Sequence, residues 1–166
     1  MMSMRGRRKF KSTTKEHSMK RRTFLGVAVV AALAGNRVAM AAAAPNVDVY
    51  KSPTCGCCGE WVKHMRAHGF PVTVNEVSDV DAFRAKAGVP AALAACHTAL
   101  VDGYVVQGHV PAADVRKLLA ERPKALGLAV PGMPASAPGM DSSRPSPYQV
   151  LLFQADGATR VYHAYP

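Results

Sequence analysis

The chain has 166 residues, of which 49% are hydrophobic and 19% charged, and a formal net charge of +10. This length suits one domain, the apolar share is too high for a disordered chain, and no apolar run is long enough to span a membrane. A charge of +10 favours a nucleic-acid-binding protein only if the lysines and arginines lie on the folded surface.

The positive charge is concentrated at the N-terminus. Residues 1–41 contain ten of the 21 lysines and arginines but one of the 11 acidic residues, so residues 42–166 carry a net charge of +1. Such an asymmetry is typical of a targeting segment rather than of a basic binding face. We therefore expect no nucleic-acid partner.

Residues 20–34 resemble the core of a twin-arginine export signal. The sequence KRRTFL at 20–25 has the paired arginines and the Phe-Leu of such signals. The 11 apolar residues at 24–34 have the length of a signal's hydrophobic region and are too short for a transmembrane helix. Met19 directly precedes this signal and is a second candidate for the initiator methionine. If translation starts there, residues 1–18 are not part of the protein.

The predicted cleavage site follows at residues 39–41, where Ala-Met-Ala has the small-x-small pattern that signal peptidase needs. The mature chain would then begin near Ala42, with an export signal over 1–41 and one domain over 42–166. We expect the mature protein to be periplasmic and not stably inserted in the membrane.

The first half of the mature domain is predicted to contain two strand–helix pairs. Alternating apolar and polar residues mark the first strand, glycines end both helices, and Ser78 with Asp81 forms the expected N-cap pair of the second helix. The predicted elements are a strand over 46–51, a helix over 58–68, a strand over 70–77 and a helix from Ser78 to Gly88.

The second half is predicted to contain two β-hairpins and a third helix. Asp102-Gly103 and Asp156-Gly157 are strong hairpin signals. The predicted elements are strands over 98–101 and 104–107, a helix over 111–122, and strands over 148–154 and 158–165. Residues 127–147 hold five prolines and three glycines, which predicts a loop without regular structure.

The order of these elements predicts the fold class. The order β-α-β-α-β-β-α is typical of a thioredoxin-like α/β sandwich. Two early strands joined by a helix pair in parallel through a right-handed crossover, and the later hairpin extends the sheet antiparallel. We therefore expect a thioredoxin-like sandwich with a mixed sheet, a Pro/Gly/Met-rich loop and a C-terminal β-hairpin.

Three of the four cysteines lie together, at Cys55, Cys57 and Cys58, where the first strand leads into the first helix. The unpaired N–H groups and the dipole at a helix N-terminus stabilise thiolates and lower the pKa of nearby cysteines. Because a thiolate is both the nucleophile of disulfide exchange and a ligand for soft metals, three interpretations compete.

Two of these interpretations involve disulfides. A pair of structural disulfides is disfavoured, because three cysteines within four residues close loops too short to restrict the unfolded chain. A thiol–disulfide oxidoreductase would use Cys55 as the nucleophile and Cys58 as the resolving cysteine. Cys57 counts against this enzyme, because an extra thiol inside the motif invites misoxidation. The thiol–disulfide oxidoreductase is kept as the alternative function.

The third interpretation, binding of a soft metal, is favoured. In a thioredoxin-like sandwich the loop that enters the third strand faces the N-terminus of the first helix, so Cys96 would complete a group of four sulfur atoms. Four thiolates can bind zinc. Met133 and Met140 in the Pro/Gly/Met-rich loop add thioethers, which suit Cu(I) and offer zinc little. The residues therefore favour copper.

The histidines are weaker candidates for the site. His97, next to Cys96, is expected to contact the site as a ligand or as a hydrogen-bond donor to a sulfur atom. His109, at the end of the hairpin, is equally well explained as a structural histidine. His64 and His68 have the i,i+4 spacing that chelates Cu(II) or zinc, but a solvated helix face is the favoured explanation.

These residues resemble the CopG-type copper proteins, also classified as domain-of-unknown-function family 411. The resemblance covers residues 46–165. Its motifs, in chain order, are YKSPTCGCC at 50–58, CHTA at 96–99, DGY at 102–104, GHVP at 108–111 and Pro-Gly-Met at 131–133 and 138–140. It implies a thioredoxin-like fold, a periplasmic setting and a role in copper resistance. It also implies a thiolate-bridged cluster of several copper ions, interconverting Cu(I) and Cu(II), with the ligands Cys55, Cys57, Cys58 and Cys96.

Taken together, the sequence predicts an exported protein that sequesters Cu(I), with several copper ions per chain and with periplasmic copper-handling proteins as partners. A metal-binding protein is favoured over an enzyme, and copper redox activity stays open. The sequence contains no phosphate-binding loop and no Gly-x-Ser-x-Gly motif, so hydrolytic chemistry is not expected.

Overall fold

A computed structural model describes residues 44–140 and 144–166 of the chain. In this part of the chain, strands and helices follow one another in the order β-α-β-α-β-β-α-β-β-β, with a 3-10 turn at Ala91–Leu93 before the third strand. The strands are β1 (Val47–Lys51), β2 (Val72–Glu76), β3 (His97–Val101), β4 (Tyr104–Gln107), β5 (Gly127–Ala129), β6 (Tyr148–Phe153) and β7 (Thr159–Tyr165). The helices are α1 (Gly56–Ala67), α2 (Val80–Lys86) and α3 (Ala112–Glu121).

The strands of the described residues form one mixed sheet, in the spatial order β2-β1-β3-β4-β5-β6-β7. β1 runs parallel to β2 and β4 parallel to β5, whereas the other neighbouring strands are antiparallel. The β1-α1-β2 unit is the parallel crossover expected of two strands joined by a helix. The predicted α/β class, mixed sheet and C-terminal hairpin are confirmed, while the finer thioredoxin-like assignment stays a prediction.

Each face of the sheet is covered by a different part of the chain. The larger core cluster contains Trp61 from α1 together with Val115 and Leu118 from α3. The smaller cluster contains Val89 and Leu93, from the connection between α2 and β3. Neighbouring strand residues divide between the two clusters, as the alternation of side chains along a strand requires. Helices α1 and α3 therefore share one face.

The end of β1 and the start of β3 lie side by side. Lys51 pairs with His97 in antiparallel register. Because α1 begins shortly after Lys51, at Gly56, its first turn comes close to Cys96, the residue that precedes β3. The register of these two strands thus brings the two cysteine-bearing segments together.

A buried carboxylate attaches the C-terminal hairpin to α3. Asp114 is 2% exposed and accepts hydrogen bonds from the Tyr165 hydroxyl at 2.7 Å and from His163 Nδ1 at 2.8 Å. Tyr165 also stacks on Tyr148, with 4.7 Å between the ring centroids. The sequence pattern assigns no role to His163, which the structure places in this contact between β7 and α3.

The predicted loop over 127–147 is wrong at its start, because its first three residues form β5. This strand pairs in parallel with β4 and in antiparallel with β6, and all three of its residues are buried. Gly127 is required in it, because a Cβ there would lie 1.7 Å from the carbonyl oxygen of Val105. Three residues are too few for a sequence pattern to reveal such a strand.

Two helix N-termini also differ from the predictions. Asp79, not Ser78, caps α2, because its Oδ1 accepts a hydrogen bond from the Ala82 N–H at 2.8 Å. Helix α1 begins at Gly56 rather than at Cys58. The second and third cysteines of the cluster therefore lie in the first turn of the helix.

The predicted export signal and its cleavage site lie outside the described residues. The division of the chain into 1–41 and 42–166 therefore stays a prediction. Among the helices of the described residues, none is both long enough and apolar enough to cross a membrane.

Candidate metal centre

Three cysteines lie where the turn after β1 enters α1. Cys55 is the N-cap residue of α1, with φ −77° and ψ 100°. Its backbone N–H donates to the Ser52 carbonyl at 3.1 Å, which closes the turn. Cys57 and Cys58 follow in the first helical turn. Cys58 is fully buried, whereas Cys55 and Cys57 are half-buried.

The fourth cysteine, Cys96, directly precedes β3 and lies beside this turn. Cys57 Sγ lies 3.6 Å from Cys55 Sγ and 3.7 Å from Cys96 Sγ. Cys58 Sγ lies 3.7 Å from the carbonyl oxygen of Cys96. The four sulfur atoms all lie within 4.8 Å of one another. The structure therefore brings together the four cysteines that the sequence selected, and we call them the four-sulfur group.

Two members of the four-sulfur group are already bonded to each other. Cys55 and Cys58 form a disulfide, and Cys57 and Cys96 are free thiols. This pairing is the one that the oxidoreductase interpretation requires. The disfavoured arrangement of two structural disulfides is not what the structure shows. In this state the group offers two thiols rather than four.

The pKa of Cys96 is shifted in the direction opposite to that expected of a cysteine at a helix N-terminus. Burial raises the pKa of the Cys96 thiol to about 12, and the hydrogen bond with Cys57 and the charge of that residue act in the same direction. Cys96 is therefore protonated at neutral pH. A metal that binds its sulfur must displace this proton.

The first Pro-Gly-Met unit lies beside Cys96. The Gly132 N–H donates to the Ala94 carbonyl at 2.9 Å, and Gly132 and Ala95 form an isolated parallel bridge. Met133 is 60% exposed. It shares with Cys96 the lining of an open cavity of about 370 Å³. A thioether thus stands at an opening that leads to one of the four sulfur atoms.

The second Pro-Gly-Met unit lies on the first turns of α1. A Cβ at Gly139 would come within 2.5 Å of the Trp61 backbone nitrogen and 3.0 Å of the Cys57 carbonyl oxygen, so only glycine permits this approach. Gly139 also has a φ of +83°, in the left-handed region. Met140 is partly buried against the main core. The sequence pattern selected the two methionines as candidate ligands. It did not show that a glycine is required at position 139 for the close contact with α1.

His97 and His109 form a buried pair on the Trp61 side of the site. The ring centroids of His97 and Trp61 are 4.5 Å apart, and those of His97 and His109 are 5.1 Å apart. His109 Nδ1 donates to the Pro138 carbonyl at 2.7 Å. Three buried ring nitrogens among the described residues make no hydrogen bond of ordinary geometry. They are both nitrogens of His97 and the Nε2 of His109.

The two buried imidazoles are held in their neutral form. Burial lowers the pKa of His97 to about 3, with smaller contributions from His109 and from the charge of Lys51, while the Gly108 backbone opposes the shift. Burial also lowers the pKa of His109. Neither histidine is part of the four-sulfur group, so their assignment as metal ligands stays a prediction.

Solved structures of two forms of copper resistance protein CopG are similar to the chain. Each is 44% identical in sequence, with a TM-score of 0.70, and the similarity covers 74% of this chain and 99% or 98% of the other. The chain belongs to the CopG-type DUF411 family. The family model described as "Protein of unknown function, DUF411" matches residues 93–140. No curated protein sequence is significantly similar to the chain.

The CopG-type family model matches only one side of the site. Residues 93–140 include Cys96, both histidines of the buried pair and both methionines of the loop, whereas the cluster of three cysteines precedes them. The similarity to the CopG structures spans most of this chain. The site therefore joins the segment that the family model describes to the turn before α1.

The side chains at this site have the chemistry that copper requires. Thiolate sulfur and thioether sulfur are soft ligands that select Cu(I), and neutral imidazole also binds copper. The buried imidazole nitrogens without hydrogen bonds are the kind of polar atoms for which a metal or a water provides a partner. Together with the similarity to copper resistance protein CopG, this donor set indicates copper binding.

His64 and His68 do not form a second chelating pair. His64 Nε2 accepts a hydrogen bond from the Ala112 N–H at 3.1 Å, so its lone pair is already occupied. His68 Nδ1 donates to the His64 carbonyl at 2.8 Å. A metal would therefore find one free imidazole lone pair on this helix face. The structure favours the explanation that these histidines are structural and solvated.

Proposed function

We propose that this protein sequesters Cu(I) through the four-sulfur group in copper resistance. The observation that carries the proposal is the convergence of four cysteine sulfur atoms within 4.8 Å, from two segments far apart in the chain. Once all four are reduced, such a group of sulfur atoms is a soft donor set that suits Cu(I). In the copper-loaded state Cys55, Cys57, Cys58 and Cys96 are all thiolates.

The spacing of the sulfur atoms supports more than one copper ion per chain. Separations of 3.6 and 3.7 Å between Cys57 Sγ and its two neighbours allow one thiolate to contact two ions. We therefore propose a thiolate-bridged cluster of several copper ions. Interconversion of Cu(I) and Cu(II) within this cluster is part of the proposal, and it is tested by the appearance of a Cu(II) electron paramagnetic resonance signal on mild oxidation.

The methionines and the buried histidines are proposed as auxiliary ligands. Met133 lies at the open cavity that Cys96 also lines, and its exposed thioether is accessible to an arriving ion. Met140 lies deeper, against the core. His97 and His109 offer neutral nitrogens behind the cluster. These roles add donors without adding charge to a site that already holds up to four thiolates.

The setting of the protein is also part of the proposal. The sequence of residues 1–41 predicts export to the periplasm, where copper-handling proteins would deliver or accept the metal. A thioether keeps its ligand character in an oxidising compartment, in which free thiols are readily lost.

The test is a metal titration of the full-length protein, purified and fully reduced without oxygen. Cu(I) is supplied as a complex with a chromogenic chelator, and bound copper is counted by elemental analysis. We expect several copper ions per chain and a large loss of copper in Cys96→Ser. His68→Gln, at the exposed residue that caps the C-terminus of α1, is the control that keeps full loading. Loading that is equal in Cys96→Ser and in the unaltered chain contradicts the proposal.

The disulfide favours a second candidate function, that of a thiol–disulfide oxidoreductase. Cys55 and Cys58 already form the redox pair, with one sulfur half-exposed and the other buried. An insulin-reduction assay separates the two functions. Turnover that depends on Cys55 and Cys58, together with no copper uptake by the reduced chain, would establish the enzyme instead.

A further inference from the structure

The Cys55–Cys58 disulfide and a four-thiolate copper site exclude each other. A sulfur in a disulfide carries no negative charge and is not a thiolate ligand. The chain in its disulfide form therefore offers copper two cysteines, Cys57 and Cys96. Two electrons must reach the disulfide before all four sulfur atoms become available.

The chain cannot supply these electrons from its own thiols. Cys57 Sγ is close enough to attack Cys55 Sγ, at 3.6 Å. Such an attack would form a Cys55–Cys57 disulfide and release Cys58, which moves the S–S bond without changing the number of thiols. Exchange with Cys96 has the same balance. The reductant must come from outside.

The structure distinguishes the two disulfide sulfur atoms. Cys58 is fully buried in the first turn of α1, whereas Cys55 is half-buried at the N-cap. The neighbouring Gly56 is exposed, and a Cβ there would meet nothing within 4 Å. An external thiolate therefore has access to Cys55. Attack at Cys55 makes the buried Cys58 the leaving group.

The crowding around Cys55 selects the kind of reductant. After attack by a monothiol, the mixed disulfide on Cys55 has the freed Cys58 and the thiol of Cys57 beside it. Either one attacks Cys55 and expels the monothiol, and this reversal is fast because the attacking thiol is held in place. A dithiol carries its own resolving thiol, so it completes the reaction within the mixed disulfide.

We propose that copper loading of this protein follows a thiol–disulfide exchange in which a dithiol attacks Cys55. The dithiol sulfur bonds to Cys55 Sγ as the Cys55–Cys58 bond breaks, and Cys58 leaves as a thiolate. The second thiol then attacks the first sulfur of the dithiol and releases Cys55 as a thiolate. The dithiol leaves as a disulfide, having given two electrons, and two protons are released or retained according to pH. The exchange itself is independent of the proposed copper function, whereas its consequence for copper rests on it.

The first experiment counts thiols in the full-length, metal-free protein. The disulfide form is treated with dithiothreitol or with glutathione at equal thiol concentration, alkylated, and weighed by mass spectrometry. We expect two alkylated cysteines before treatment, four after dithiothreitol and mostly two after glutathione. The proposal is overturned if glutathione opens the disulfide as fully as dithiothreitol, or if the untreated chain shows four thiols.

The second experiment identifies the attacked sulfur. The probe is a thioredoxin that lacks its resolving cysteine, and Cys57→Ser in the chain prevents the bond from migrating. Rapid acid quenching followed by alkylation blocks the freed Cys58, so that this thiol does not expel the probe before the mixed disulfide is located. We expect the trapped bond on Cys55, located by peptide fragmentation. A bond on Cys58 contradicts the assignment. Circular dichroism shows whether Cys57→Ser is folded, and if it is not, rapid quenching of the unaltered chain replaces the variant.

The third experiment connects the exchange to copper. Disulfide and dithiothreitol-reduced chains receive the same Cu(I)–chelator complex, after dithiothreitol has been removed. We expect the reduced chain to bind more copper, and equal loading of the two forms overturns the requirement for reduction. If neither form binds copper while the thiol counts agree with expectation, the proposed function fails and the exchange at Cys55 stands.

Discussion

Cys57 Sγ lies 3.7 Å from Cys96 Sγ, although 39 positions separate the two residues in the chain. This contact joins the first turn of α1 to the residue that precedes β3. It converts a local cluster of three cysteines into a group of four. It also contributes to the protonation of Cys96, because the hydrogen bond between the two sulfur atoms adds to the effect of burial.

Cu(I) uptake is expected to become tighter as the pH rises. Since the pKa of Cys96 is raised to about 12, the metal-free protein holds this proton throughout the neutral range, and binding must release it. Each proton released makes the apparent affinity about tenfold higher per pH unit. The measurement is competition with a Cu(I) chelator at several pH values around neutrality, on the reduced chain. Cys96→Ser should release about one proton fewer, and an unchanged slope in that variant contradicts the prediction.

Substitution of Gly139 is expected to displace the second Pro-Gly-Met unit from α1. Gly139→Ala adds a Cβ that meets the Trp61 backbone nitrogen at 2.5 Å, in addition to the strain of a φ of +83°. Overpacking and backbone strain together predict a destabilisation of about 2–4 kcal/mol. Urea unfolding measures the change.

Gly132→Ala is the matched control for this prediction. Gly132 also has a positive φ, of +68°, but a Cβ there would meet nothing within 4 Å. Only the strain remains, so we expect a destabilisation of about 1–2 kcal/mol. Equal destabilisation by the two substitutions would show that the close contact with α1 has no energetic consequence.

Local chemistry explains which parts of the fold the sequence predicts well. Asp102 and Gly103 both have positive φ, of 46° and 86°, as the tightest hairpin turns require. The β3–β4 hairpin could therefore be placed from two residues. The apolar positions of α1 are also correct, since Trp61, Val62 and Met65 are all buried. In these cases the neighbours along the chain determine the structure.

The remaining features depend on partners that are distant in the chain. β5 is a strand because β4 and β6 pair with it on both sides. A sequence of three residues does not contain enough of a pattern to predict this pairing. The two Pro-Gly-Met units have the same sequence but contact different partners, Ala94 in one case and Trp61 in the other. The spacing of Cys55 and Cys58 permits a disulfide and also a metal site. The spacing alone therefore does not determine whether these two cysteines are oxidised or reduced.

The stability of the metal-free protein is expected to fall as the pH decreases below about 6.5. Unfolded His97 binds a proton below its ordinary pKa of 6.5, whereas burial keeps folded His97 neutral down to about pH 3. The unfolded state thus binds more protons in this window, and the stability contributed at higher pH is lost towards pH 3. The slope from one such group is at most about 1.4 kcal/mol per pH unit.

Urea unfolding at several pH values between about 5 and 7.5 measures this slope. His97→Gln should reduce it, because glutamine does not titrate. Part of the slope should remain in that variant, since burial also lowers the pKa of His109 and of His64. The same slope in His97→Gln and in the unaltered chain would mean that folded His97 takes up the proton.

Exchange of copper with an external chelator is expected to depend on Met133 more than on Met140. Met133 is 60% exposed at the cavity beside Cys96, whereas Met140 is partly buried against the core. Met133→Leu removes the soft sulfur at the opening and keeps the size of the side chain. The rate of Cu(I) transfer should therefore fall, with little change in the free energy of unfolding.

Met140→Leu is the matched comparison, since it makes the same chemical change at the buried position. It should alter stability by less than about 1.5 kcal/mol, as volume-conserving core substitutions do. Its transfer rate should remain closer to that of the unaltered chain. Stopped-flow mixing of the copper-loaded protein with a chromogenic chelator measures both rates. If Met140→Leu slows transfer and Met133→Leu does not, copper leaves along the face of α1 rather than through the cavity beside Cys96.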